Sequence, residues 1–470
     1  MVSFVIPTRN RPALLARSAT SLLPWLSTRH EGPLPLLVLD HSDQDEALEE
    51  NRALVQILAD SAPPEEEIFY FGPRERRRLV SVLAQGDRER EELLGFACLR
   101  RTPELPISSP GRNRNCALLA WAGRKILSLD DDARFCFSRL RGKDPITPSG
   151  YTALATADRA VLEEYLEPFS GDPLEEMAGS LQGREVPLVM TGITGNRWFG
   201  RPHHFLTLED PLRDRVYAPG KRYNHSRAAP FAFFQYPWGR ASESPFLVTA
   251  CHGADARILL PPFPPQGHAD DSVFGVLVRF CYPGSVTRHM PFCVHHDLGE
   301  PRPFPDDAWH QTGLTAAMLT RLVAQYLAGR VSPDLVGAGE RLFRMGELFS
   351  SLAEMPIEGW RDMVHELFLV FATSEGERFG ELLERYRGRP SWWARDVEDY
   401  RERLIQQGAT PEGALPREYH HAGLSLAEGL EAYRSFCRSY GQLMMVWPRL
   451  WEAACSRVPE PGLALSGAPG

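Results

Sequence analysis

The chain has 470 residues, 43% of them hydrophobic and 24% charged, an ordinary globular composition with enough apolar mass for two or three domains. Its formal net charge of -9 gives no general electrostatic attraction to nucleic acid or to an anionic membrane surface, so neither is expected as a partner. Eight scattered cysteines without a C-x-x-C pair argue against a zinc site and a disulfide framework and fit a reducing compartment. The opening apolar run stops at Pro7, short for a signal-peptide core, and no apolar run approaches the roughly 18 residues of a membrane span. A soluble, cytoplasmic protein is the expectation.

In chain order, "VSFVIP" and "LPLLVLD" are continuous apolar runs of strand length, the pattern of strands buried on both faces. Between them "RPALLARSATSLLPWL" places Leu14, Leu15, Ser18 and Leu22 at helical spacing, with Pro12 in the first turn. That is a β-α-β unit. The basic run "RERRR", Arg74 to Arg78, reads as a solvated helix face or loop. A helix-like "GRNRNCALLAWAG" ends at Gly123 and runs directly into the strand "RKILSLD". Ligands of open α/β sheets gather at the carboxyl ends of strands, so Pro7, Asp40 and Asp130 are expected around one crevice.

From about residue 133 to 298 the chain is rich in Pro, Gly and aromatics, mixing strand-like pieces ("VPLVMTGITG", "PFLVTACHG") with long loops. Beyond Trp309 the period turns helical: Leu314, Met318, Leu322, Val323 and Tyr326 form one apolar face that closes at Gly329. Further helical segments follow, including "WRDMVHELFLVFA" and "LEAYRSFCRSYGQLMMVW", and the tail is Pro/Gly-rich.

Asp130, Asp131 and Asp132 are adjacent in sequence at the end of the strand "RKILSLD". Like charges so close repel unless something cationic sits among them. Mg²⁺ and Mn²⁺ suit that place, since hard ions take carboxylate oxygens and bridge phosphates. A solvated turn capping a helix is the other reading of three acidic residues by themselves.

In context the chain resembles the GT-A glycosyltransferases of family 2. "VSFVIPTRNRPALL" is similar to their opening strand and loop, V-S-V-I-I-P-T-x-N-R. Arg114-Asn115 on a helix, Gly123 at its end, and Leu129-Asp130-Asp131-Asp132 fall in the family's order, with Asp130 and Asp132 as the DxD pair. Asp270-Asp271, Gly284 and His295-His296 stand where the family has Glu-Asp, a glycine turn and a histidine near a strand end. The resemblance covers about residues 1 to 297.

It implies an α/β fold, a Rossmann-like mixed sheet flanked by helices, over residues 1–300; the helical periodicity and the Pro/Gly-rich end add an α-helical domain at 301–458 and a tail at 459–470. It also implies a metal-dependent, inverting transferase that uses Mn²⁺ or Mg²⁺ and a nucleoside-diphosphate sugar, a UDP-sugar being favoured, with an acceptor of unknown kind (peptide, glycan or small molecule). Asp132 would be the direct metal ligand, Asp130 would contact ribose or metal-bound water, and one of His295 and His296 would reach the metal or diphosphate. Asp271 would be the general base, with Asp270 as the alternative. Pro7, Thr8, Arg9, Asp40, Arg114 and Asp131 would line the nucleotide. The C-terminal helices would bind the acceptor or form a homodimer. Two other classes stay open at this point: a non-catalytic nucleotide-sugar-binding scaffold, and a metal-dependent hydrolase built on the aspartates and "HHD".

Overall fold

A computed structural model describes residues 1–28, 34–64, 66–99, 110–141, 152–156, 166–195, 231–235, 240–243, 247, 249–267, 270–297, 314–385, 387 and 391–457, the strands at 152–156 and 231–235 by their backbone alone. The expected boundary near residue 300 and the tail at 459–470 lie outside these residues.

The first third alternates as its sequence pattern requires. Strand β1 (Val2–Thr8) leads into helix α1 (Pro12–Thr28), β2 (Leu36–Asp40), α2 (Asp45–Ser61), β3 (Ile68–Phe71), α3 (Pro73–Ala84), α4 (Arg88–Cys98), α5 (Gly111–Ala120) and β4 (Lys125–Leu129). Every residue of β2 is buried, as its unbroken apolar run demands of a strand covered on both faces. Gly123 has φ +88°, a left-handed value that suits glycine, and its N–H donates to the Ala256 carbonyl at 2.7 Å. The chain thereby turns from α5 into β4 with no loop to spare.

The middle of the chain supplies β5 (Ala133–Leu140), β6 (Thr152–Thr156), β7 (Leu166–Pro168), α6 (Pro173–Ser180), β8 (Leu188–Gly195), β9 (Phe231–Gln235), β10 (Ala241–Ser242), β11 (Cys251–Asp255), α7 (Asp270–Cys281) and β12 (Thr287–His296). The strands form one sheet in the order β3-β2-β1-β4-β11-β8-β12-β5-β7, with β10 on β12 and β6 joined through β9 to β8. β1 to β4 are mutually parallel, β11 is antiparallel to both β4 and β8, and β12 is parallel to β8. The carboxyl ends of β1, β2, β4, β8 and β12 therefore share one edge, where a crevice forms.

Five longer helices follow: α8 (Ala316–Ala328), α9 (Ala338–Ala353), α10 (Ile357–Arg385), α11 (Ser391–Gly408) and, after two short helical turns, α12 (Leu426–Arg457). This is the α/β sheet with a helical C-terminal region that the sequence predicts. The two parts share one continuous core, from Phe4 and Leu127 to Trp447 and Leu450. α12 lies along α9 and also touches α3, α4 and α5. At the α9/α12 crossing the backbones meet at Gly346 and Gly441, where a Cβ on Gly441 would come within 2.5 Å of the Ser350 hydroxyl. Only glycine permits that approach.

The stripe assigned to acceptor binding or dimerisation is mostly occupied. Leu314, Met318 and Val323 are buried within the chain, so they offer nothing to a second copy. Tyr326 alone of that stripe stays exposed, at 42%, with the Arg330 guanidinium over its ring. No described helix is long and apolar enough to cross a membrane.

Candidate active site

The Asp130–Asp132 turn links β4 to β5 at the carboxyl edge. Two backbone bonds fix it: the Asp130 N–H donates to the Ala250 carbonyl (2.9 Å), and the Asp297 N–H donates to the Asp132 carbonyl (2.6 Å). The turn, Pro7, Thr8, Arg9, Arg11, His41, Pro110, Asn113 and Arg114 line a cavity of about 270 Å³. Pro7, Arg9, Arg114 and the aspartates thus meet as expected.

Within the turn the three carboxylates go to different partners. Asp132 is 3.1 Å from His296 Nε2 and 3.0 Å from Arg11 Nη1. Asp131 is 5% exposed and turns back to β1, accepting from the Thr8 hydroxyl (2.8 Å) and Arg11 Nη1 (3.2 Å). Asp131 and Thr8 both line the cavity, with their side chains bonded to each other. Asp130 faces Arg114 Nη2 at 3.6 Å.

Of the two histidines, His296 is the one whose ring reaches Asp132. The His295 ring packs against Gly195, a residue at φ +96° where a Cβ would overlap both that ring and the His296 carbonyl. β12 carries a register irregularity between Val294 and His295 on its β5 side, which is where such re-aiming occurs.

Asp270 and Asp271 open α7, as their sequence position implies. Asp270 is 2% exposed and accepts from Arg114 Nη1 at 2.8 Å. Asp271 is half-buried, with its Oδ1 accepting from the Ser272 N–H at 2.8 Å. Arg114 spans the two acidic groups and also donates to the Thr249 hydroxyl at 2.7 Å. Its guanidinium sits 5.7 Å from the Phe263 ring, which stacks on Phe274 of α7 at 3.8 Å. Asn115 holds the Phe263 backbone at both its N–H and its carbonyl (2.8 and 3.0 Å).

Asp40 corrects the expectation that it lines the nucleotide. It is fully buried, and its carboxylate accepts from the Ser42 N–H (2.8 Å), Asn51 Nδ2 (3.0 Å) and the Tyr70 hydroxyl (2.9 Å). Three donors consume it as a brace of the β2 edge, while His41 takes the place on the crevice wall.

Several residues of the site were not singled out from sequence. Arg11 closes the electrostatics of the turn from 120 residues away, and Asn113 donates to the Thr8 carbonyl at 3.3 Å. Arg76, inside the basic run, is 2% exposed. It donates to the Asp40 carbonyl (3.1 Å) and to Asn113 Oδ1, so one member of that run is structural while Arg74, Arg77 and Arg78 are exposed.

Burial raises three carboxyl groups above their usual range. Asp130 is pushed up to about 7 by desolvation and the neighbouring aspartates, against Arg114. Asp131 rises to about 6 through desolvation and the Asp132 charge, against Arg11 and Thr8. Asp271 rises to about 7 through desolvation and the Asp270 charge, against Arg114. The native state therefore holds protons that the unfolded chain has already lost, and stability from these groups falls as pH rises from about 4 through 7. Asn mimics the neutral acid, so Asp130→Asn is expected to melt above wild type at about pH 8 and to show little gain at about pH 4.5. Thermal melts at both pH values check this; an equal gain at both would show that burial does not hold the proton.

No protein-family model and no curated protein matches the chain. Similar solved structures include glucosyl-3-phosphoglycerate synthase from Mycobacterium tuberculosis in complex with Mn²⁺, UDP and glucosyl-3-phosphoglycerate, 14% identical over 71% of this chain and 81% of that one, with a TM-score of 0.31. S. aureus TarS 1-349 in complex with UDP-GlcNAc is 12% identical over 86% and 90%, with a TM-score of 0.33. Mannosyltransferase PcManGT from Pyrobaculum calidifontis in complex with GDP-Man and Mn²⁺ is 14% identical over 87% and 86%, with a TM-score of 0.34. Likenesses this distant carry no weight for the chemistry, which the geometry of the site itself must support.

Proposed function

We propose that the chain is a metal-dependent glycosyltransferase of GT-A type, which moves a sugar from a nucleoside-diphosphate sugar, with UDP favoured, to an acceptor hydroxyl. One observation carries the reading: Asp130 and Asp132 line the crevice at the carboxyl edge of the sheet, His296 pairs with Asp132, and Arg114 ties that turn to the acidic start of α7.

The donor set suits Mn²⁺ or Mg²⁺. Asp132 offers hard oxygen and His296 Nε2 lies 3.1 Å from it, while Asp130 lines the same cavity. Among the described residues no three such side chains group closely enough to form a protein-only cage. Phosphate oxygens would then complete the shell, as these ions do in nucleotide sites. The ion would neutralise the charge that develops on the diphosphate leaving group.

The chain's own residues supply the rest. Pro7, Arg9 and His41 wall the part of the crevice next to β1 and β2, where the base and ribose would lie. Asp271 takes the acceptor's proton. Asp270, held at 2.8 Å by Arg114, orients the start of α7, which supports Asp271 as the base. A base raised to about 7 is matched to proton transfer near neutrality. We propose an inverting transfer, in which one carboxylate deprotonates the acceptor on the face of the sugar opposite the leaving diphosphate.

UDP with Mn²⁺ is expected to raise the melting temperature by several degrees, and UDP with EDTA by much less, since a ligand of the native state stabilises by mass action. A thermal-shift screen of donors, with and without metal, makes the measurement. Stabilisation by UDP that EDTA leaves unchanged would sink the metal bridge, and no effect of any nucleotide would sink the reading.

A further inference from the structure

Arg11 pairs with two carboxylates, and they use only part of its guanidinium. Its backbone is fixed: Asn10 beside it has φ +53°, with its own N–H donating to Ser42 Oγ (2.8 Å) and its Oδ1 accepting from the Asp43 N–H (2.9 Å). The Arg11 carbonyl accepts from the Leu14 and Leu15 N–H groups at 3.1 and 3.0 Å, seating it at the mouth of α1. The side chain then reaches the turn, and both of its ion pairs, with Asp131 at 3.2 Å and Asp132 at 3.0 Å, are made through Nη1. Among the described residues Nη2 and Nε make no hydrogen bond. The side chain is 36% exposed and lines the crevice.

A guanidinium carries five N–H donors in a rigid fork that matches phosphate geometry. Here the Nη2 and Nε donors remain for a further anion. The oxygens that Nη1 engages belong to carboxylates that a divalent ion would also use, so Arg11 and the ion compete for one of them. With both on Asp132, the guanidinium and the ion repel each other at short range. A diphosphate removes the conflict by giving Arg11 a new partner.

Resting on the proposed function, we propose that Arg11 is a donor-binding residue that exchanges Asp132 for the donor diphosphate, so that nucleotide and divalent ion enter the site together. Asp131, which also holds the Thr8 hydroxyl, stays behind as a fixed anchor. Arg11 thereby makes metal binding depend on nucleotide, a coupling that is reciprocal by linkage.

The test is isothermal calorimetry on the full chain with Mn²⁺ alone, and with UDP at saturating Mn²⁺. Arg11→Ala is expected to tighten Mn²⁺ roughly tenfold in the absence of nucleotide, by removing a competing charge, and to weaken UDP roughly ten- to hundredfold by removing a charged bidentate donor. Arg11→Lys keeps the charge but lacks the fork, so it is expected to bind Mn²⁺ as wild type does and to remain weak for UDP. Effects of opposite sign on the two ligands support the inference; effects of one sign, or none, overturn it. Wild-type protein that binds neither Mn²⁺ nor UDP would overturn the proposed function and this inference with it. Circular dichroism and melts confirm that each variant is folded, and Arg11→Lys provides the comparison if Arg11→Ala is not.

Discussion

Asp271→Asn is expected to lower transfer by roughly two to four orders of magnitude while UDP and Mn²⁺ binding stay close to wild type, the pattern of a lost general base. The substitution keeps the shape and the contact with Ser272 but cannot accept a proton. The pH profile supplies a second signature. The active form is the ionised carboxylate, and the group titrates near 7, so wild-type turnover should rise with pH through that value and fall on the acid side, and the variant should lose this limb. Asp270→Asn should behave differently: it releases Arg114 from its 2.8 Å contact and thereby frees the partner of Asp130, so donor affinity should suffer with the rate. Single-turnover rates with UDP titrations separate the two variants. If Asp270→Asn alone abolishes the rate at unchanged UDP affinity, the base lies one residue earlier.

Deleting everything after residue 313 is expected to leave no soluble, cooperatively folded protein. The family resemblance ends near residue 297 and the nucleotide contacts it implies all lie before that point, but the helical region completes the core. Trp447, Tyr440, Leu443 and Met444 of α12 are fully buried. The Trp447 indole donates to the Leu260 carbonyl (2.7 Å) and the Tyr440 hydroxyl to the Pro262 carbonyl (2.7 Å). Replacing one buried Trp by Ala costs about 3–5 kcal/mol, against a total stability of about 5–15 kcal/mol. Losing a whole face of such groups exceeds that total. Solubility, gel filtration and thermal melts of the truncated chain decide it; a soluble fragment that melts cooperatively and binds UDP would show that the sheet folds without its helical cover.

The parts of this arrangement legible in the sequence are those set by local pattern. Buried parallel strands advertise themselves as unbroken apolar runs, and strand ends then place Pro7, Asp130 and His296 on one edge. Acidic residues opening a helix were visible at Asp270-Asp271. What escaped depends on partners far along the chain. Asp40 resembles an exposed strand-end carboxylate until Asn51 of α2 and Tyr70 of β3 close over it. Arg76 is one of four arginines in a five-residue run, and nothing local says which of them turns inward. Arg11 belongs to the motif, yet its pairing with Asp131 and Asp132 exists only once β1 and β4 lie side by side. Helical periodicity showed that the C-terminal faces must be covered, and only the fold shows that the sheet domain covers them.

The clamp on the Leu260–Phe263 segment also has a place in time. Its carbonyls at Leu260 and Pro262 receive their hydrogen bonds from residues 187 and 178 positions later, and at roughly 5–20 residues per second a ribosome needs about ten to forty seconds to cover that distance. For nearly all of that interval the nascent chain already contains Asp130, Asp132 and Asp271, but the seat beneath Arg114, built on Phe263, is still without its support. A message that ends early, or a ribosome that stalls before α12 emerges, therefore releases a chain with every acidic group of the site and no rigid link between them. Translation itself would decide when the site becomes competent, and the last of the described helices to be made is the one that closes it.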